Sequence, residues 1–145
     1  MYTIKETQDF HPLSILYQES GLEVKPSQEP PAGTEKLWRC EENGTGDLLA
    51  AATLQKRSGY FVLAHLAVCE PWRGRGLGKI LLALAEEEAK ARGAQEIWLV
   101  GKVPEFYAQY QWETVPREEA PAISRCLTCD QFQASCFPSI MKKRL

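Results

Sequence analysis

Hydrophobic and polar positions change period several times along the chain, and each change predicts an element. From Met1 to Glu6 they alternate loosely, which reads as a short opening strand. Leu13, Leu16 and Tyr17 recur at helical spacing behind Asp9, a favourable N-cap residue, and Gly21 closes a helix predicted to end near Ser20. Residues 23–35 carry Pro26, Pro30, Pro31 and Gly33 among polar side chains and predict an exposed loop that overhangs a site. Lys36–Glu41 and Leu48–Lys56 read as two strands joined by a turn through Asn43–Asp47.

After a second turn at Ser58 and Gly59, Tyr60–Val68 is a nearly unbroken apolar run with β-branched and aromatic members, the pattern of a central strand covered on both faces. Leu77, Ile80, Leu81, Leu84, Ala85 and Ala89 then recur at helical spacing, Glu86–Glu88 read as solvated, and Lys90 and Arg92 precede a stop at Gly93. Glu96–Val100 is a second short buried strand. Strand, long helix and strand together predict a βαβ unit with parallel strands and a right-handed crossover. Pro104 suits the first residue of a short helix through Tyr110, followed by a strand near Trp112–Val115 and a closing strand over Ile140–Leu145. The expected fold class is α/β, one domain spanning residues 1–145.

Composition narrows the function more than the fold. The 145 residues bury enough surface for one core without metals or disulfides, and 44% hydrophobic with 25% charged residues exclude a disordered chain. A formal charge of −2 supplies no global field for a polyanion, so nucleic acid is not an expected partner and any anion site has to be local. No apolar stretch reaches bilayer length and residues 1–6 have no signal-peptide core, so a cytoplasmic protein without membrane contact is expected. Five cysteines, an odd number, fit thiols kept reduced.

The local anion site is legible between the central strand and the long helix. Pro71-Trp72-Arg73-Gly74-Arg75-Gly76-Leu77-Gly78-Lys79 sets three alternate glycines in a strand-to-helix turn. Glycine permits positive φ and close backbone approach, the first helical turn has N–H groups without intrahelical partners, and the helix dipole with Arg73, Arg75 and Lys79 adds positive potential. That combination suits a diphosphate. A dinucleotide-binding turn would follow the first strand and need an acid after the second, where Gly101-Lys102 stand. A Walker A loop would need a hydroxyl after Gly78-Lys79, where Ile80 stands. Glycines required only for packing would leave the three cations unexplained.

Leu66-Ala67-Val68 followed by this turn resembles the acetyl-CoA signature of the GNAT superfamily of N-acetyltransferases, Arg/Gln-x-x-Gly-x-Gly/Ala after a Leu-Ala-Val strand end. Downstream, Phe106-Tyr107-x-x-x-x-Trp112 is similar to that superfamily's Phe-Tyr-x-x-x-Gly-Phe, with Gln111 in place of the glycine. The resemblance implies a mixed, mostly antiparallel sheet flanked by helices, acetyl-CoA as cosubstrate and a small-molecule amine as acceptor, in a monomer or homodimer. It also implies that the backbone of Leu66, Ala67 and Val68 pairs with the pantetheine amides, that the N–H groups from Arg73 through Gly74, Arg75, Gly76, Leu77, Gly78 and Lys79 cradle the pyrophosphate, and that a bulge near the end of Tyr60–Val68 opens the slot. By the same resemblance Tyr107 is the acid that serves the departing thiolate.

The base is less plain. A lysine-like amine has a pKa near 10.4 in water and must shed a proton before it attacks. The superfamily often carries a glutamate four residues before the leucine of Leu-Ala-Val; here that residue is Val62. His65, whose alternative is a hydrogen-bonded core residue, and Glu70, whose alternative is a solvated loop residue, are the nearby candidates, besides an acceptor that arrives neutral or loses its proton through water. A non-catalytic acyl-CoA sensor is therefore a competing expectation, as is a protein lysine or N-terminal acetyltransferase.

The tail Cys126-x-x-Cys129-x₆-Cys136 further resembles a short GNAT subgroup of amino-acid N-acetyltransferases, although Val62 and Ala64 stand where that subgroup has a glutamate and an arginine. Three thiolates are one ligand short of a closed zinc site. Zinc held by Cys126, Cys129 and Cys136 stands beside the alternative of thiols that pack a loop or form a redox-labile pair.

Overall fold

The computed structural model describes residues 1–22, 24–101, 103–119 and 139–145. They resolve into two compact units, residues 1–55 with 63–88 and residues 56–62 with 89–145. Hydrogen bonding orders seven strands as β1-β2-β3-β4-β5-β7-β6, and β4 (Tyr60–Val68) contributes to both units. Among the described residues no helix is long and apolar enough to cross a membrane.

In the first unit β1 (Tyr2–Thr7) pairs antiparallel with β2 (Thr34–Glu42), and β2 pairs antiparallel with β3 (Leu48–Arg57). Helix α1 (Phe10–Glu19) lays Phe10, Leu13, Leu16 and Tyr17 on Leu37, Ala51 and Ala67 of the sheet, and each such side chain contributes about 1.5–3 kcal/mol by leaving water. Asp9 holds the N-cap position, but its side chain makes no capping bond; its own N–H donates to Thr7 Oγ1 at 3.1 Å. Gly21 turns left-handed at φ +88° and stops the helix as its sequence predicts.

Two expectations are corrected here. The strand most fully covered is β3, buried without interruption from Leu49 to Gln55, whereas β4 is only half-buried at Ala64, His65 and Leu66. The three small residues Ala50, Ala51 and Ala52 allow close packing on both faces of β3, an effect an apolar-run criterion does not register. In helix α2 (Leu77–Ala91) the buried stripe is Leu77, Leu81, Leu82, Ala85 and Ala89. Ile80 is 36% exposed and Leu84 half-buried, because the helix has more apolar residues than one face can bury and the core takes the stripe that includes Leu82. Glu88 is not simply solvated: Lys36 Nζ lies 2.8 Å from both Glu6 and Glu88, which ties β1, β2 and α2 together.

In the second unit β4 and β5 (Glu96–Gly101) run parallel with Val62 opposite Trp98, as the βαβ reading requires. β7 (Ser139–Arg144) pairs antiparallel with β5 and also with the two-residue β6 (Glu113–Thr114), so the last strand in sequence lies inside the sheet. Val62, Trp98 and Ile140 form a small core with Val100 and Val115 at its margin. The β3–β4 turn has both central residues at positive φ, Ser58 at +52° and Gly59 at +85°, a conformation whose twist matches a hairpin.

Helix α3 spans Pro104–Ala108, two residues shorter than its pattern predicts, because the chain reverses at Gln111 with φ +72°. A left-handed glutamine costs about 1–2 kcal/mol, less what glycine would lose in chain entropy. Gln111→Gly is therefore expected to hold or raise the melting temperature, by no more than about 4 °C, and Gln111→Val to lower it; calorimetry of the two variants checks the sign.

Candidate functional site

The glycine-rich turn lies wholly in the first unit. A short 3₁₀ turn at Glu70–Trp72 follows β4, and α2 begins at Leu77. Gly74 and Gly76 adopt φ +80° and +85°, a backbone other residues rarely adopt. A Cβ built on either would meet nothing within 4 Å, so these glycines serve the path of the backbone and not the packing of a neighbour. Arg73 N–H bonds to Glu70 O and Ile80 N–H to Gly76 O. Between them the N–H groups of Gly74, Arg75, Gly76, Leu77 and Gly78 have no carbonyl partner among the described residues. The Arg73 N–H is held by Glu70 O, and the run of N–H groups without a carbonyl partner starts at Gly74.

The cations divide their tasks. Arg73 Nε donates to Val68 O at 2.9 Å, which ties the turn to the end of β4. Arg75 lies over the Trp72 ring, 4.6 Å from its centroid, and Trp72 meets Tyr2 edge-on at 6.2 Å. Such a stack at an exposed site contributes about 0.5–1 kcal/mol and, more usefully, holds a long side chain near the turn. Trp72 and Tyr2 were not singled out by sequence reasoning; an aromatic three residues before an arginine was the available signal. Lys79 lies with Gly76 at the head of a shallow groove of about 460 Å³, continued by Ile80, Ala83, Leu84 and Glu87. The apolar residues that the core leaves outside α2 thus line a surface leading away from the turn.

Leu66 and Val68 are half-buried, while Ala67 faces the α1 core. His65 stacks on Tyr17 at 4.7 Å and lies 6.3 Å from Phe10, so it sits against the aromatic floor of α1. Tyr17 donates to or accepts from Thr53 Oγ1 at 2.9 Å, and burial pushes its phenol well above the usual range. Glu70 is exposed at the start of the 3₁₀ turn. Of the cysteines, Cys40 is buried and Cys69 half-buried, both free; burial pushes the Cys40 thiol up to about 11, which keeps it protonated and unreactive. Cys126, Cys129 and Cys136 lie outside the described residues. Among the described residues no three His, Cys, Asp or Glu side chains gather to hold a metal ion, and the zinc reading rests on sequence alone.

Tyr107 belongs to the second unit. Its ring contacts Phe106 at 5.0 Å and Trp112 at 6.0 Å between centroids, both near edge-on. Burial pushes its phenol up to about 12, so it stays neutral across the ordinary pH range. Val62, at the position where the resemblance places a glutamate, is 3% exposed and packed with Trp98 and Ile140.

A family model described as the acetyltransferase (GNAT) family matches residues 4–111, most of the chain, and the protein belongs to that family. None of the curated proteins compared matches it. Among solved structures, N-acetylglutamate synthase from Neisseria gonorrhoeae, complexed with coenzyme A and N-acetyl-glutamate, superposes with a TM-score of 0.78 at 20% identity. The match covers 100% of this chain and 35% of that one, so the chain spans about a third of the synthase's length. PaiA N-acetyltransferase from Thermoplasma acidophilum in complex with coenzyme A gives 0.71 at 15% identity, covering 100% and 99% of the two chains. The Escherichia coli ribosomal-protein-S18-alanine N-acetyltransferase gives 0.69 at 18%, covering 99% and 94%. At these identities the likeness is one of fold.

Proposed function

We propose that this GNAT acetyltransferase uses acetyl-CoA to acetylate the primary amine of a small, amino-acid-like acceptor, by direct attack in a ternary complex. The observation that carries the reading is the turn: consecutive N–H groups without a carbonyl partner among the described residues, at the start of a fifteen-residue helix, with Arg75 and Lys79 beside them. The pyrophosphate of coenzyme A supplies the anion, and the backbone of Leu66–Val68 supplies partners for the pantetheine amides. Support comes from the two fold relatives whose structures hold coenzyme A. Dependence on acetyl-CoA also favours the cytoplasm.

The neutral amine attacks the thioester carbonyl, and the carbonyl oxygen becomes an oxyanion that backbone N–H groups at the end of β4 stabilise. The C–S bond then breaks, sulfur leaves as thiolate, and the amine's surplus proton passes through His65, Glu70 or water to solvent. Tyr107 donates a hydrogen bond to the departing sulfur. Complete transfer from a phenol near 12 to a thiol near 8.5 is uphill by roughly 3.5 pH units, or about 5 kcal/mol, so the thiolate takes its final proton from solvent.

One observation favours a second reading, an acyl-CoA-binding protein without turnover: Val62 offers no carboxylate and lies in an apolar cluster. Calorimetry with coenzyme A and a thiol-release assay with acetyl-CoA distinguish the two. The amine panel holds glutamate, other amino acids, spermidine and a peptide with a free N-terminal alanine. Release accelerated by an amino acid supports the proposal. Release with the peptide alone moves the acceptor to protein, binding without release on any amine favours the sensor, and absence of binding overturns both.

A further inference from the structure

Gly101, the last residue of β5, is buried, yet its φ lies outside the left-handed region, so the backbone would accept an alanine there. Space would not. A Cβ at this position would stand 3.0 Å from Tyr107 Cε2, 3.4 Å from Tyr107 Cδ2 and 3.0 Å from Leu99 Cδ1. Carbon atoms settle at about 3.5–4.0 Å, so the edge of the Tyr107 ring rests where a side chain of residue 101 would be.

On this side the edge of the Tyr107 ring meets β5 at residue 101. α3 is five residues long, too short to be held by helix propensity. The chain also packs on this residue: the N–H groups of Tyr110 and Trp112 donate to Tyr107 O at 2.9 and 3.3 Å, and beyond the left-handed Gln111 the Trp112 ring lies 6.0 Å from the Tyr107 ring between centroids. Trp112 is only 3% exposed, so a shift of the Tyr107 ring toward it would disturb a packed indole. We infer that Gly101 is a positioning residue for the acetyl-transfer step, setting the depth of the Tyr107 ring and hence the position of its hydroxyl. The inference rests on the reading of Tyr107 given above.

The test is a double-mutant cycle, measured by thiol release from acetyl-CoA with the fastest amine of the panel. Gly101→Ala is expected to lower kcat about tenfold, since displacements of about 1 Å at a reacting group cost up to about a hundredfold, while KM for acetyl-CoA changes less than twofold. In the Tyr107→Phe background, where the hydroxyl is gone, Gly101→Ala is expected to lower kcat no further. An equal loss in both backgrounds, or no loss in either, overturns the inference. Should Gly101→Ala fold poorly, Leu99→Val is added to it; this removes the Leu99 Cδ1 contact and leaves the Tyr107 contact to be measured. If Tyr107→Phe alone leaves kcat unchanged, or no amine is turned over, the reading of Tyr107 fails and this inference falls with it.

Discussion

Gly76→Asp is expected to abolish measurable coenzyme A binding while the protein remains folded. Two effects of unequal size contribute. Any side chain at φ +85° costs about 1–2 kcal/mol in stability, which at this chain length lowers the melting temperature by a few degrees. A carboxylate there also stands among the N–H groups proposed to hold the diphosphate, and two like charges about 4 Å apart near a protein surface repel by about 4 kcal/mol. Together with lost N–H contacts this is roughly a thousandfold in affinity. Gly76→Ala separates the parts, because it carries the strain without the charge and should keep binding within about tenfold of the parent. The open space around the added Cβ makes both variants compatible with the fold. Calorimetric titration with coenzyme A reads both; an aspartate variant that binds within threefold of the parent would refute the placement of the diphosphate.

Tyr107→Phe is expected to lower kcat ten- to a hundredfold and to leave KM for acetyl-CoA within a factor of two. A hydrogen bond to a charged group contributes about 1.5–3 kcal/mol, and the sulfur is charged only as it departs, so the loss falls on the chemical step. The pH dependence follows from the direction of the phenol's shift. Burial holds Tyr107 neutral to about 12, so it is the same hydrogen-bond donor at pH 6 as at pH 10. Any fall in kcat across that interval belongs to another group, and the profile of the phenylalanine variant should run parallel to the parent's. If the variant removes a limb of the profile near neutrality, Tyr107 is a titrating acid and the uphill-transfer argument is wrong.

Much of this could be read along the chain because it depends on neighbours in sequence. The strand-helix-strand unit, the turn at Ser58-Gly59 and the diphosphate turn are local: glycine for a positive φ, and a helix start for unpartnered N–H groups. Those requirements act within a few residues and leave their mark there. Corrections arose where burial is decided by what lies opposite. The face that α2 buries depends on where the sheet lies, so Leu82 rather than Ile80 enters the core. The alanines of β3 are buried for a shape that hydrophobicity does not measure, and the bond from Arg73 Nε to the Val68 carbonyl is a contact that no local pattern announces.

His65 and Gly101 mark the boundary most clearly. Alternation along β4 leaves open what His65 meets, and only the packing of α1 puts it against Tyr17. Gly101 looks like any strand-end glycine until Tyr107, six residues on, is seen to rest against it. The sequence by itself determined the family resemblance and the turn proposed to hold an anion, because backbone conformation and helix-end donors are set within one turn of chain. Tertiary structure alone decided which side chains stand beside His65 and Tyr107, because those distances depend on how separate elements pack.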